Sequence, residues 1–413
     1  MLFNINEERL KDDIATLSKM IDKSYPGYTR RPFTKYYKES RGWLYREMET
    51  LGLEVYIDAA SNLIGKRTGK VPSLAPIMIG SHTDSVIGGG RFDGIIGVLA
   101  GIEIVRQLNE LDIELNHTLL IVDFTAEEAS EFGISTIGSR GMVGMLTEEQ
   151  LSRDNLEGLK LEKGISMIGG RPENIQNEAL QKGDLSLYME LHIEQGPVLD
   201  KTENDIGAVT GIVGIRRYKV VIKGQPNHAG TTPMNMRYDA LSAASEVILS
   251  IEKVANQNYE EPAVGTVGRI FSKPNGSNII PGEIILEFEL RSISDDVLDQ
   301  MVQFIKEHIQ SIKNKRDIHI EIQELSYSDP VKINFNILHG IRESCKVIGK
   351  TIDLPSGAGH DANQIAKIAP VGMIFVPSKN GKSHCPEEWT EYRQVAKGVH
   401  ALANALIYFD TNL

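Results

Sequence analysis

Two cysteines, Cys345 and Cys385, in a chain of 413 residues leave no disulfide framework and suit a reducing compartment. Proline is scarce at 16 residues and the 38 glycines follow no period, which excludes collagen-like and low-complexity classes. No apolar run approaches the roughly 20 residues of a spanning helix. The opening MLFNINEERLKDD is too acidic and too broken in hydrophobicity for a signal peptide. Basic side chains are also in deficit, 44 against 56 acidic, for a net charge of -12 that repels phosphate backbones. Nucleic acid and anionic membranes are therefore not expected partners, and the chain reads as a cytoplasmic protein. Its 41% hydrophobic and 24% charged residues are ordinary for a globular protein, with room for two or three domains at roughly 150 residues each.

What the chain does have is alternation. Four short, nearly continuous apolar runs lie at 75–82, 117–125, 184–194 and 370–378, as buried sheet strands do. Between the first two, Ile95, Val98, Leu99, Ile102, Val105 and Leu108 recur at helical spacing, so the fold class is α/β with helices flanking a central mixed sheet. Two more helical patterns open the chain, near 6–22 and 36–51. A different order occupies 212–328. A strand from Ile212 precedes a helix with Leu241, Ala244, Ile248, Ile251 and Val254 on one face. Two strands (263–271, 283–291), a second helix (295–312) and a strand (318–325) follow. This βαββαβ order is ferredoxin-like. It predicts an inserted domain at 212–328 within a larger domain made of 1–211 and 329–413.

The apolar runs lead into ligand-type residues. His82, Asp84 and Asp93 lie in GSHTDSVIGGGRFDG, Glu127 and Glu128 in FTAEEASEFG, His192 and Glu194 in ELHIEQGP, and His384 in GKSHCPEEW. In open α/β sheets the carboxyl edge of the strands is the ligand edge, and imidazole with carboxylate is a divalent-metal donor set. Singly, each piece reads as solvated surface or, for His192, as a satisfied core histidine; the combination points to metal. His117, His308, His319, His339 and His400 sit in ordinary contexts and read as structural. Cys385, beside His384, reads as a small packed residue.

These strings, with HAGTTPM and SGAGHDA, occur in an order that resembles the N-carbamoyl-L-amino-acid hydrolase and allantoate amidohydrolase branch of the aminoacylase-type binuclear metallopeptidases, from about Gly27 onward. The resemblance implies two divalent ions per subunit (zinc, manganese, cobalt or nickel), one on His82 and His192, the other on Glu128 and His384, with Asp93 bridging. Asp84 would orient His82. Glu127 would be the general base, and the reaction would hydrolyse a ureido C–N bond. The inserted domain would be a lid that carries homodimer contacts, with His228 entering the neighbour's site as an oxyanion donor. Arg291 and Asn278 would bind a substrate carboxylate, helped by Gln195, Gly357, Gly359 and His360. For Arg291 the alternative is an ion pair with Glu283 or Glu289. Peptidase members of the family place a carboxylate at the position of His192 and a longer insertion between Asp84 and Asp93, so a small ureido substrate is expected. Allantoate or ureidoglycolate is the alternative to an N-carbamoyl amino acid, ahead of an aminoacylase or dipeptidase. A binding protein without catalysis would have no use for Glu127.

Overall fold

The four apolar runs form the middle of a nine-stranded sheet. The structure is a computed structural model that describes residues 3–155, 157–257, 259 and 261–413. Its strands are β1 (Glu54–Ile57), β2 (Leu63–Arg67), β3 (Ile77–His82), β4 (Leu119–Phe124), β5 (Leu187–Ile193), β6 (Ile206–Ile212), β7 (Gly214–Lys223), β8 (Ala263–Lys273), β9 (Glu283–Ser292), β10 (His319–Ser328), β11 (Val331–Lys332), β12 (Thr351–Ser356) and β13 (Val371–Val376). The large sheet runs β1-β2-β4-β3-β5-β13-β6-β11, with β12 on β6. Its inner four strands, β4-β3-β5-β13, are mutually parallel, and β1, β2, β6 and β11 pair antiparallel. Every residue of those four strands is buried. Burial on both faces is why they read as continuous apolar runs without alternation.

The chain divides into two units, Met1–Thr210 with Ile333–Leu413, and Gly211–Lys332; the expected 212–328 lies inside the second. In the first unit, helix Ile95–Glu110 packs on β3, β4 and β5 and also against helices Glu7–Leu17 and Tyr392–Asn412, so thirteen of its sixteen residues are buried. A helix covered on all sides is apolar all round. Helix Tyr392–Asn412 and the hairpin β1–β2 had no counterpart in the sequence reading.

The second unit has the order β7, helix Ala240–Ala255, β8, β9, helix Asp295–Arg316, β10, in an antiparallel sheet β10-β7-β9-β8. Strand β9 alternates strictly, with Ile284, Leu286, Phe288 and Leu290 buried. Ser294 caps the Asp295–Arg316 helix on the Val297 N–H, acids fill its first turn, and Lys313, Lys315 and Arg316 its last, matching its dipole. The buried face of helix Ala240–Ala255 is Ala243, Ala244, Val247, Ile251 and Val254. Of the sequence face, Ala244, Ile251 and Val254 are buried and Ile248 packs against the same core, whereas Leu241 lies off it. Alanines take the sheet side because they let the helix approach it, and Leu241 is exposed. Among the described residues no helix is long and apolar enough to cross a membrane.

Candidate metal centre

Strand β3 ends at His82, and β5 carries His192 one strand away. Each ring is fixed through Nδ1. His82 Nδ1 lies 3.0 Å from the Asp84 carbonyl and His192 Nδ1 2.9 Å from the Ile193 carbonyl. A carbonyl can only accept, so Nδ1 carries the proton and Nε2 presents its lone pair. The Gly94 N–H donates to His192 Nε2 at 3.2 Å, which agrees with that tautomer.

The Nε2 atoms converge on one carboxylate. Asp93 Oδ1 lies 3.1 Å from His192 Nε2 and 3.7 Å from His82 Nε2. Its other oxygen, Oδ2, lies 3.3 Å from His384 Nε2, which is also 3.2 Å from Glu128 Oε1. Two donor groups, His82–Asp93–His192 and Asp93–Glu128–His384, thus share Asp93, with one oxygen facing each. Ligand atoms bonded at about 2.1 Å to a tetrahedral ion stand about 3.4 Å apart. The separations of 3.1 to 3.7 Å bracket that value, and the imidazole and carboxylate donors suit zinc, manganese, cobalt or nickel.

Backbone shape delivers these side chains. Gly94 has φ +68°, and a Cβ there would sit 2.4 Å from the His82 ring, so only glycine lets the segment after Asp93 pass the imidazole. Ala126, Gln195 and His384 also have positive φ, which turns the chain sharply beside Glu127, Glu194 and Ser383. The Asp84 carboxylate stands 3.6 Å from His82 Nδ1 and also accepts the backbone N–H groups of Glu127 and Glu128, each at 3.1 Å. It therefore orients the Glu127–Glu128 turn, and its carbonyl orients His82. Glu194, expected at the ligand edge, accepts the N–H groups of Val198 and Leu199 at 2.7 Å and caps a short helix.

The electrostatics follow from crowding. Burial, and then the charges of Asp361 and Glu128, push the Glu127 carboxyl well above its usual range. Glu127 Oε2 stands 3.7 Å from His82 Nε2. Hydrogen bonds and charge from Asp93 and Glu128 push His384 up to about 11. Burial opposes the charged form of His192, but Asp93 outweighs it and the ring rises to about 9. Acids and imidazoles so closely opposed are a site that a cation stabilises by displacing protons.

The remaining predicted residues fall into two groups. Gln195 joins the centre, donating through Nε2 to Asp93 Oδ2 at 2.7 Å. His360 is buried with its ring 4.6 Å from that of His192 and its Nε2 2.8 Å from Ser356 Oγ; Gly357 and Gly359 lie in the turn between them. His228, Asn278 and Arg291 belong to the second unit. His228 is exposed, and its Nδ1 accepts the N–H groups of Gly230 and Thr231 at 3.0 and 3.1 Å. The Asn278 carbonyl accepts the neighbouring Ala229 N–H at 2.9 Å. Arg291 pairs with Glu289, Nη2 to Oε1 at 2.7 Å, and Arg217 takes the other Glu289 oxygen at 3.1 Å, the ion-pair alternative for Arg291. The sequence reading passed over Glu388, Ser383, and the pair of Asp361 with Ser139. Glu388 and Asp361 lie inside the quoted strings SHCPEEW and SGAGHDA, and the density of polar residues there was the available signal.

The profile of Peptidase family M20/M25/M40 matches residues 78–408. An N-carbamoyl-L-amino-acid amidohydrolase of Pseudomonas sp. (strain NS671) is 38% identical over 408 residues, covering 98% of each chain. An allantoate amidohydrolase of Bacillus subtilis (strain 168) is 35% identical over 399 residues, covering 96% of each. The crystal structure of a hydantoinase/carbamoylase family amidase from Burkholderia multivorans superposes with a TM-score of 0.88 at 32% identity and covers 98% of each chain.

Proposed function

The chain belongs to Peptidase family M20/M25/M40, and from that premise we propose that it is a cytoplasmic metal-dependent hydrolase that cleaves the ureido C–N bond of N-carbamoyl-L-amino acids, giving the amino acid, carbon dioxide and ammonia. The observation that carries the reading is the sharing of Asp93 between two His-containing donor groups, with Glu127 beside one of them. The similarity to N-carbamoyl-L-amino-acid amidohydrolases supports the substrate class. That to the allantoate amidohydrolase supports allantoate as the alternative, with ureidoglycolate of the same chemistry.

In this reading His82 and His192 would hold one divalent ion and Glu128 and His384 the other, with Asp93 shared by the two groups. Such ions would supply electrophilic polarisation of the ureido carbonyl and of water. Glu127 takes the proton of the attacking water and passes it to the departing amine, a role that suits a carboxyl whose proton affinity burial has raised. The released carbamate then breaks down to carbon dioxide and ammonia.

The second unit acts as a ferredoxin-like lid and dimerisation domain at about 212–328. Its His228, with Nδ1 occupied as an acceptor, carries its proton on Nε2, the form that donates to a developing oxyanion. In the homodimer this donor serves the neighbour's site. Arg291 and Asn278, with Gln195, Gly357, Gly359 and His360, hold the substrate carboxylate.

Ammonia release from a panel of N-carbamoyl amino acids, allantoate, ureidoglycolate and N-acetyl amino acids, before and after chelation, tests the proposal. Activity on a carbamoyl amino acid that chelator removes and manganese, cobalt or zinc restores is expected, at about two ions per chain. Turnover by protein shown to be metal-free, or turnover of acetyl substrates alone, overturns it.

A further inference from the structure

Glu388 is buried at 2% exposure in the loop after β13, four residues beyond His384, and has no role in the proposed chemistry as stated above. Its Oε1 accepts two successive backbone N–H groups, from Phe92 at 3.0 Å and from Asp93 at 3.1 Å. Its Oε2 lies 3.2 Å from Ser383 Oγ, which is in turn 2.9 Å from Asp93 Oδ2. One carboxylate therefore holds Asp93 through its peptide N–H and stands beside a hydroxyl whose single proton can go either to Glu388 or, at the shorter distance, to the Asp93 side chain.

The surrounding sequence is shaped around this grip. A Cβ on Gly90 would stand 2.1 Å from the Glu388 carboxyl, so a side chain at position 90 and this carboxylate exclude each other. The Phe92 ring packs edge-on to Trp389 at 5.3 Å, which fixes the two segments side by side next to the hydrogen bonds. A carboxylate out of water is costly unless hydrogen-bonded. Here the compensating donors are the backbone N–H of Asp93, the residue shared by both donor groups, and that of Phe92 before it.

We propose that Glu388 is a positioning residue that sets the orientation of Asp93, and hence the spacing of the two metal positions, by clamping the Phe92–Asp93 amides. The inference rests on the reading of Asp93 as the bridging ligand. Among the described residues Glu388 belongs to none of the donor groups. Its action on the ions runs through Asp93, where outer partners of ligands typically tune affinity.

The chemistry separates charge from geometry. In Glu388→Gln the amide oxygen still accepts both N–H groups, and its NH₂ donates to Ser383 Oγ, leaving the serine proton to Asp93. In Glu388→Asp the charge remains, but the acceptor withdraws by one methylene and both bonds to the amides are lost. The test is cobalt titration of metal-free full-length protein, with the visible absorption of the bound ions and the melting temperature of the metal-free state recorded for each variant. Wild type is expected to take two ions. Glu388→Asp and Glu388→Ala are expected to bind cobalt about 10- to 100-fold more weakly with altered spectra, and Glu388→Gln to stay within about threefold of wild type. Unchanged affinity and spectra in Glu388→Asp overturn the proposal, as does equal loss in Glu388→Gln and Glu388→Asp, which would make the charge the operative feature. A wild type that takes no cobalt refutes the metal reading itself, a distinct outcome. A Glu388→Ala chain that fails to fold leaves the Asp and Gln variants to decide.

Discussion

Glu127 and Glu128 are neighbours with the same side chain, and the structure gives them different surroundings. Both N–H groups are held by Asp84 at 3.1 Å and the Glu127 carbonyl accepts the Thr136 N–H at 2.7 Å, so the turn stays anchored when either carboxylate becomes an amide. Glu128 Oε1 lies 3.2 Å from His384 Nε2 and belongs to a donor group, whereas Glu127 Oε2 faces the His82 side at 3.7 Å. Glu127→Gln removes a proton acceptor and leaves every member of both donor groups in place. A positioned general base contributes about 10²- to 10⁴-fold, so the barrier should rise by about 2.7 to 5.4 kcal/mol at 1.36 kcal/mol per decade. Glu128→Gln removes one of the two carboxylates facing His384, and the expected result is loss of bound metal. Elemental analysis of both variants after reconstitution, with ammonia release on an N-carbamoyl amino acid, decides the matter. Glu127→Gln should hold two ions and turn over at least a hundredfold more slowly, and Glu128→Gln should hold fewer. Equal metal loss in the two variants, or near-normal turnover by Glu127→Gln, would refute the assignment.

Arg291→Lys keeps the charge but loses the fork, and if Arg291 holds a substrate carboxylate, KM should rise about ten- to a hundredfold, the worth of a charge-assisted pair of about 1.5 to 3 kcal/mol. Unchanged kinetics would assign Arg291 to its ion pair with Glu289 alone. Gly94→Ala places a methyl 2.4 Å from the His82 ring at a φ of +68°, so metal content should fall while far-ultraviolet circular dichroism stays native; full metal occupancy would contradict the close approach. Equal mixing of His228→Ala with Glu127→Gln chains should restore activity to about a quarter of wild type, because half the dimers are mixed and each has one intact site. No recovery, with mixed dimers confirmed by native mass spectrometry, would mean that His228 serves its own chain or none.

What the sequence made legible was governed by whether a signal is local. Strands β3, β4, β5 and β13 stood out because burial on both faces demands unbroken apolar runs, and the ligand-type residues stood out because they follow those runs directly. Strands β1 and β2 span only four and five residues, and β11 two, too short for a period to show. The face of helix Ala240–Ala255 was misjudged at Leu241 because hydrophobicity favours that residue, while packing distance favours the small Ala243. Glu194 was misplaced because a carboxylate after a strand looks the same in sequence whether it faces a ligand or caps the next turn.

Three carboxylates show why the finer architecture of the centre stayed hidden. Asp84 takes the amides of Glu127 and Glu128, Glu388 those of Phe92 and Asp93, and Glu194 those of Val198 and Leu199. In each case an acid accepts two successive backbone N–H groups, and in the first two the clamped pair includes a member of the donor groups. A backbone N–H is present at every residue but proline, so its side of such a bond leaves no trace in composition or spacing. The acid's side is visible but ambiguous, since the partner lies 43 residues away for Asp84 and nearly 300 for Glu388. Donor residues can thus be read from the chain, while the clamps that aim them emerge only when the sheet brings distant loops to one edge. Loss of an aiming carboxylate should accordingly change metal affinity more than the melting temperature of the metal-free protein, because its partners are ligand-bearing turns and not the strands of the core.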